Sequence, residues 1–224
     1  MAEGSAGTAY LVAPDAGPGP GVLVLHSWWG VTSGIKALCN RLADEGFVAL
    51  APDLNDGFIP ATAAEAELEL GRSDPNVAAA LVLSSVVALR SQAADPDAPV
   101  AALGFSMGAS WALWLATRQP DSVGRVVAYY GTQEIDFVDL AAPVLGHFAD
   151  DDELVSDDEV AEMHAHLRLL EKDVEIHRYP GTSHWFAESG HPESERTHDA
   201  PAAELAWERT LAFLRQDASP RDAI

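Results

Sequence analysis

Cysteine is almost absent from this chain. Cys39 is the sole thiol among 224 residues, so no intrachain disulfide can form. It falls inside a stretch that reads as a helix, where a buried free thiol is the plain expectation. Lysine is confined to Lys36 and Lys172, and Lys plus Arg total 13 against 35 Asp plus Glu. The formal charge of −22 argues against nucleic acid and anionic membrane surfaces as partners, since both would repel it. No apolar run approaches the roughly 20 residues of a membrane span. The stretch MAEGSAGTAYLVAPDAG lacks the basic flank and long apolar core of a signal peptide. A soluble, cytoplasmic protein with no membrane partner is expected. No repeat, low-complexity linker or composition break divides the chain, so one domain over 1–224 is expected. Apolar residues make up 48% of it, enough for a packed core.

What is present is organised around residues 98–118, APVAALGFSMGASWALWLATR. Val100 and Leu103 belong to a short apolar run that reads as a buried parallel strand. From Met107 the residues are helix formers, up to Gln119–Pro120. Between them lies Gly104-Phe105-Ser106-Met107-Gly108, a G-x-S-x-G in strand–turn–helix context. Such a turn holds its serine in a strained conformation at the helix N-terminus, where free N–H groups suit a developing oxyanion. Ser106 is the candidate nucleophile.

The rest of the chain alternates strands and helices. Thr8–Ala13 reads as an edge strand, followed by Val22–His26 as a central strand and Ser33–Glu45 as a helix with Ile35, Leu38 and Leu42 at helical spacing. Phe47–Ala51 is the next strand. Ala61–Leu70 and Asp74–Arg90 read as helices, the second capped by Asp74 with Pro75 at its first position. Arg125–Tyr130, Pro143–Phe148 and Val174–Tyr179 are further strands. Asp157–Leu170, capped by Asp157, and Pro201–Leu214, with Leu205, Leu211 and Leu214 turned inward, are the remaining helices. This alternation predicts an α/β fold, a mostly parallel sheet with helices on both faces.

A serine needs a base, and the base needs an acid that fixes its tautomer. In chain order the acid should follow a strand after the nucleophile, and the histidine should come last. The loop Ala149–Val155 after the Pro143–Phe148 strand carries the acids Asp150-Asp151-Asp152-Glu153. Asp152 is preferred because Val155 gives it an apolar anchor; Asp150 and Asp151 remain alternatives. Among eight histidines, His184 follows the turn Tyr179-Pro180-Gly181-Thr182-Ser183 and can reach back over Ser106. His164 and His166 read as solvated helix residues, His147 and His177 as structural strand residues, and His191 and His198 as exposed. His26 is placed to shape the pocket. The N–H of Met107 is one oxyanion donor, and that of Trp28 the other. Trp28, Trp29 and Trp185 are expected to ring the serine, whereas Trp111, Trp114 and Trp207 are assigned to core packing. His164 and His166 have no carboxylate or third histidine at ligand spacing, and a serine, a base and an acid need no metal or organic cofactor, so neither is expected.

The blocks HSWWG at 26–30, ALAPDL at 49–54, GFSMG at 104–108, GHFADDDELV at 146–155, YPGTSHWF at 179–186 and AWERTLAFL at 206–214 together resemble the dienelactone hydrolase family. The resemblance spans almost the whole chain. It implies a single α/β-hydrolase domain without a large lid, and it maps a triad onto Ser106, Asp152 and His184. Three departures stand out. Well-studied members use cysteine where this chain has Ser106. They carry a glutamate, which controls the resting thiol, where this chain has Ser27. They also clamp a substrate carboxylate with arginines, one of them four residues after the catalytic histidine, where this chain has Glu188; Arg72 is a candidate for another. The expectation is a cofactor-free serine hydrolase of a small ester or lactone, a monomer or small homo-oligomer. Its pocket should include His26, Ser27, Trp29, Trp185 and Glu188, with Glu188 at the mouth disfavouring anions. A thioesterase or acyltransferase with the same triad is one alternative, and a non-catalytic ligand-binding relative is another.

Overall fold

The computed structural model describes residues 8–216. The strands are β1 (Ala9–Val12), β2 (Gly21–Leu25), β3 (Val48–Pro52), β4 (Val100–Phe105), β5 (Val123–Tyr129), β6 (Val144–Ala149) and β7 (Val174–Tyr179). The helices are α1 (Ser33–Asp44), α2 (Ala63–Leu70), α3 (Pro75–Arg90), α4 (Met107–Arg118), α5 (Asp157–Leu169) and α6 (Ala200–Leu214). The strands form one sheet in the order β1-β3-β2-β4-β5-β6-β7, in which β1 alone runs antiparallel. β2 and β3 are buried at every position, as strands covered by helices on both faces must be. β1 alternates half-buried and exposed residues, as an edge strand does.

Successive residues of each strand feed two separate cores. Leu23, Leu25, Val48, Leu50, Ala102 and Val126 face α3, α4 and α5. Val22, Val24, Ala49, Leu103, Phe105 and Val127 face α1 and α6. Among the described residues no helix is long and apolar enough to cross a membrane.

Most elements fall where the periodicity predicts, with two corrections. Asp157 does not cap α5. Ser156 does, in a capping box with Glu159, leaving Asp157 at the first helical position and paired with Arg178 at 2.6 Å. Leu205 is 42% exposed, because the inward stripe of α6 is Trp207, Thr210, Leu211 and Leu214, an i, i+3, i+4, i+7 set one phase away from it.

The topology dictates where a site can form. From β2 the chain moves to β3 on one side, then crosses back to β4 on the other, so the strand order reverses between β2 and β4. Loops leaving the C-terminal ends of two such strands diverge and open a crevice. The parallel register sets Leu25 beside Gly104, Phe105 beside Tyr129, Tyr129 beside His147 and Ala149 beside Tyr179. The loops after β2, β4, β5, β6 and β7 therefore leave the same edge.

Candidate active site

Ser106 occupies the turn between β4 and α4 with φ 51° and ψ −116°, left-handed territory that costs a non-glycine residue about 1–3 kcal/mol. The turn is tight. A Cβ on Gly104 would lie 2.1 Å from the Gly108 carbonyl oxygen, and one on Gly108 the same distance from that of Leu25. Leu103, Phe105 and Leu113, all buried, flank the turn, and each contributes about 1.5–3 kcal/mol, so one or two of them offset its strain. Tyr130 and Trp185 also adopt positive φ, at 38° and 63°, and both pack against the His184 ring. Three of the five non-glycine residues with positive φ among the described residues thus adjoin one imidazole, Asp56 and Glu171 being the others.

His184 Nε2 lies 2.9 Å from Ser106 Oγ, and its Nδ1 lies 2.8 and 2.9 Å from the two oxygens of Asp152. An ionised carboxylate only accepts, so Nδ1 carries the proton and donates to Asp152. Nε2 is then the acceptor, and the serine hydroxyl donates to it. The His184 and Asp152 side chains are each only 4% exposed. Asp152 is itself anchored: its Oδ1 accepts the N–H groups of Leu154 and Val155, both at 2.9 Å. Asp150 and Asp151 are exposed.

Met107 is the first residue of α4, so its N–H belongs to the donors a helix leaves unpaired at its start. Trp28 lies in the loop after β2, and its carbonyl accepts from Asn55 Nδ2 at 2.9 Å. His26 is fully buried and lines neither of the two cavities described below. Burial lowers its pKa and favours the neutral ring, whose Nε2 accepts the Leu54 N–H at 2.9 Å. It thereby pins the loop after β3 and shapes the site from beneath. Trp28, Trp29 and Trp185 cluster with ring centroids 5.3–5.7 Å apart. Trp29, however, is fully buried and stacks on His191 at 4.2 Å, so it packs behind the site. His191 is therefore not exposed: it is buried, with Nε2 donating to the Pro60 carbonyl. His198 is half-buried.

Glu188 is not at an open mouth. It is 5% exposed, and its carboxyl accepts Ser27 Oγ at 2.7 Å and Tyr130 Oη at 3.2 Å. A carboxyl thus does stand against position 27, supplied by the loop after β7. Burial pushes its pKa up to about 7, although the two hydroxyl donors pull the other way. The folded state then favours the protonated acid. This contribution is complete below the ordinary value of 4.5 and is lost as pH rises through about 7, a change on the order of 3 kcal/mol at most. Glu188→Gln keeps a neutral hydrogen-bonding amide. Urea unfolding at pH 5–8 is expected to show the variant gaining on the parent by up to that amount as pH rises. A difference that stays constant across the range would refute it.

Two cavities adjoin these residues. One of about 290 Å³ lies between α1 and α6 behind the Glu188 loop, lined by Arg41, Trp207 and His198 but not by Ser106 or His184. The other, of about 200 Å³, has Trp28 and Met107 in its wall together with Leu54, Leu70 and Trp111. Trp111 is only half-buried, so beyond packing on the core it faces this space. The sequence motifs do not single out Tyr130, Leu54 or Asn55, and they assign Trp111 to core packing alone. Position at the C-terminal ends of β5 and β3 was the available signal for the first three. Arg72 is exposed and does not line the cavity.

The family model described as dienelactone hydrolase family matches residues 8–218. "Protein usf" of Aquifex pyrophilus is 31% identical over 216 residues, covering 92% of each chain. A protein of Escherichia coli (strain K12) named "Putative carboxymethylenebutenolidase" is 30% identical over 227 residues, covering 93% of this chain and 82% of its own. Among solved structures, a dienelactone hydrolase-like promiscuous phosphotriesterase from metagenomic libraries superposes with a TM-score of 0.81 at 24% identity, covering 92% of this chain and 90% of that one. The last of these speaks to the fold, which is that of the α/β-hydrolases.

Proposed function

This chain belongs to the dienelactone hydrolase family, hydrolases acting on ester and lactone bonds, and from that premise we propose that it cleaves a small ester or lactone through a Ser106–His184–Asp152 triad. The observation that carries the reading is the unbroken line of hydrogen bonds from Asp152 through His184 to Ser106. In the proposed reaction Ser106 Oγ attacks the carbonyl carbon while His184 Nε2 takes its proton. Asp152 holds the tautomer that leaves Nε2 free to accept and steadies the imidazolium that forms. The N–H groups of Met107 and Trp28 receive the oxyanion. Collapse of the tetrahedral intermediate breaks the bond to the leaving alcohol, whose oxygen takes the proton from His184. Water then repeats the sequence on the acyl-serine, releasing the acid and restoring the hydroxyl. The enzyme needs no thiolate, so the buried Ser27–Glu188 pair has no resting thiol to control.

A fluorophosphonate reports on this directly. One equivalent is expected to attach to Ser106, identified by peptide mass, with activity lost in proportion. Labelling at another residue, or none under conditions where ester is hydrolysed, would refute the triad.

A further inference from the structure

The cavity of about 200 Å³ is built from the loops after β2 and β3 and from α2, α3 and α4. None of its lining residues comes from the loops after β6 and β7, which carry Asp152 and His184. In the sheet, β2 and β3 lie on one side of β4, and β6 and β7 on the other. By strand order Ser106, at the end of β4, lies between the strands that carry its base and those that build this cavity, whose wall reaches the nucleophile turn through Met107 and not through Ser106 itself. That placement sorts the two halves of an ester. The leaving oxygen must take its proton from His184, so the alcohol lies toward β6 and β7. The acyl chain remains on Ser106 and extends the other way, past Met107 and Trp28.

The walls say what acyl chain fits. Leu54, Ala66, Leu70, Ala78 and Trp111 present apolar surface, and no lysine or arginine lines the cavity. The charged side chain there is Glu69, an anion. Beside the polar Asn55 and Ser73, a carboxylate on the acyl chain would lose part of its water there with no cation to meet it. In volume, a 150 Å³ apolar cavity admits benzene, so this one takes about a phenyl ring with a one- or two-carbon arm.

We propose that this cavity is the acyl subsite and that it selects esters of uncharged, apolar acids of about phenylacetyl size. The proposal rests on the triad reading. Charge selection in this enzyme thus passes from Glu188, which is buried and bonded, to the walls of the acyl cavity.

The test compares kcat/KM for the 4-nitrophenyl esters of acetic, phenylacetic and 4-carboxyphenylacetic acids. The parent is expected to prefer phenylacetate to acetate by on the order of 10-fold, and to prefer it to the carboxylated ester by at least as much. Ala78→Phe fills the cavity from the start of α3 and should reduce the phenylacetate-to-acetate ratio to about one or below. Leu70→Arg, at an exposed position, should raise the rate on the carboxylated ester relative to phenylacetate on the order of 10-fold. If Ala78→Phe does not fold, the Leu70→Arg ratio decides. Equal rates on all three esters, or ratios unmoved by the variants, would overturn the subsite while acetate hydrolysis and Ser106 labelling leave the triad standing. Loss of both acetate hydrolysis and Ser106 labelling in the parent would instead overturn the triad, and the subsite with it.

Discussion

Ser106→Ala is expected to lower kcat/KM for 4-nitrophenyl acetate by on the order of 10³-fold or more, with the melting temperature within a few degrees of the parent. The hydroxyl is the attacking atom, and the donors left in place cannot replace it. Little stability goes with it. Alanine carries the same strain at φ 51° as serine, so the backbone term nearly cancels, and one half-buried hydrogen bond to His184 is lost. Cys39 supplies the control for a stray thiol nucleophile. It is fully buried on α1, and burial pushes its pKa up to about 12, so a thiol reagent should leave activity intact. Ser106→Ala activity within tenfold of the parent, or inactivation by the thiol reagent, would place the nucleophile elsewhere.

What was legible in the sequence follows from how far apart the interacting residues lie. The turn at Ser106 is local: strand, two glycines and helix formers sit within a dozen positions, so its geometry could be read from spacing. The strand–helix alternation was legible because parallel strands are buried on both sides and read as continuous apolar runs. The mouth position expected for Glu188 fails because its environment is made at long range. Its partners Ser27 and Tyr130 lie 161 and 58 residues away, and a lone acid in a polar segment reads as exposed until those hydroxyls are in place. His191 hid in the same acidic stretch, although it stacks on a tryptophan from the loop after β2. Trp111 shows a different difficulty. Its helical phase is that of a core residue, and only the gap left by α2 and the start of α3 gives it a second face. The cap of α5 is a local matter: serine and aspartate are both good caps, and Glu159 three residues after Ser156 completes the capping box that favours serine.

The acidic loop offers the sharpest test of that reading, because three neighbouring aspartates make opposite predictions. Asp152→Asn is expected to reduce kcat by on the order of 10³–10⁴-fold. The reason lies in the loop backbone. The N–H groups of Leu154 and Val155 both point at Oδ1, so an asparagine will turn its carbonyl oxygen toward them and present its amide nitrogen to His184. The amide nitrogen then sits at the Oδ2 position, the nearer of the two to Nδ1, and can only donate, which favours Nδ1 as acceptor and moves the ring proton toward Nε2. That nitrogen, 2.9 Å from Ser106 Oγ in the parent, then offers a hydrogen where it should offer a lone pair. The base is still in place but holds the wrong tautomer, and the imidazolium loses its counter-charge. Fluorophosphonate labelling should slow alongside ester hydrolysis, since both begin with deprotonation of Ser106. Asp150→Asn and Asp151→Asn remove exposed charges from the same loop and should stay within about twofold of the parent. If Asp151→Asn proves the damaging change, or if Asp152→Asn keeps a tenth of parental kcat, Asp152 is not the residue that orients His184.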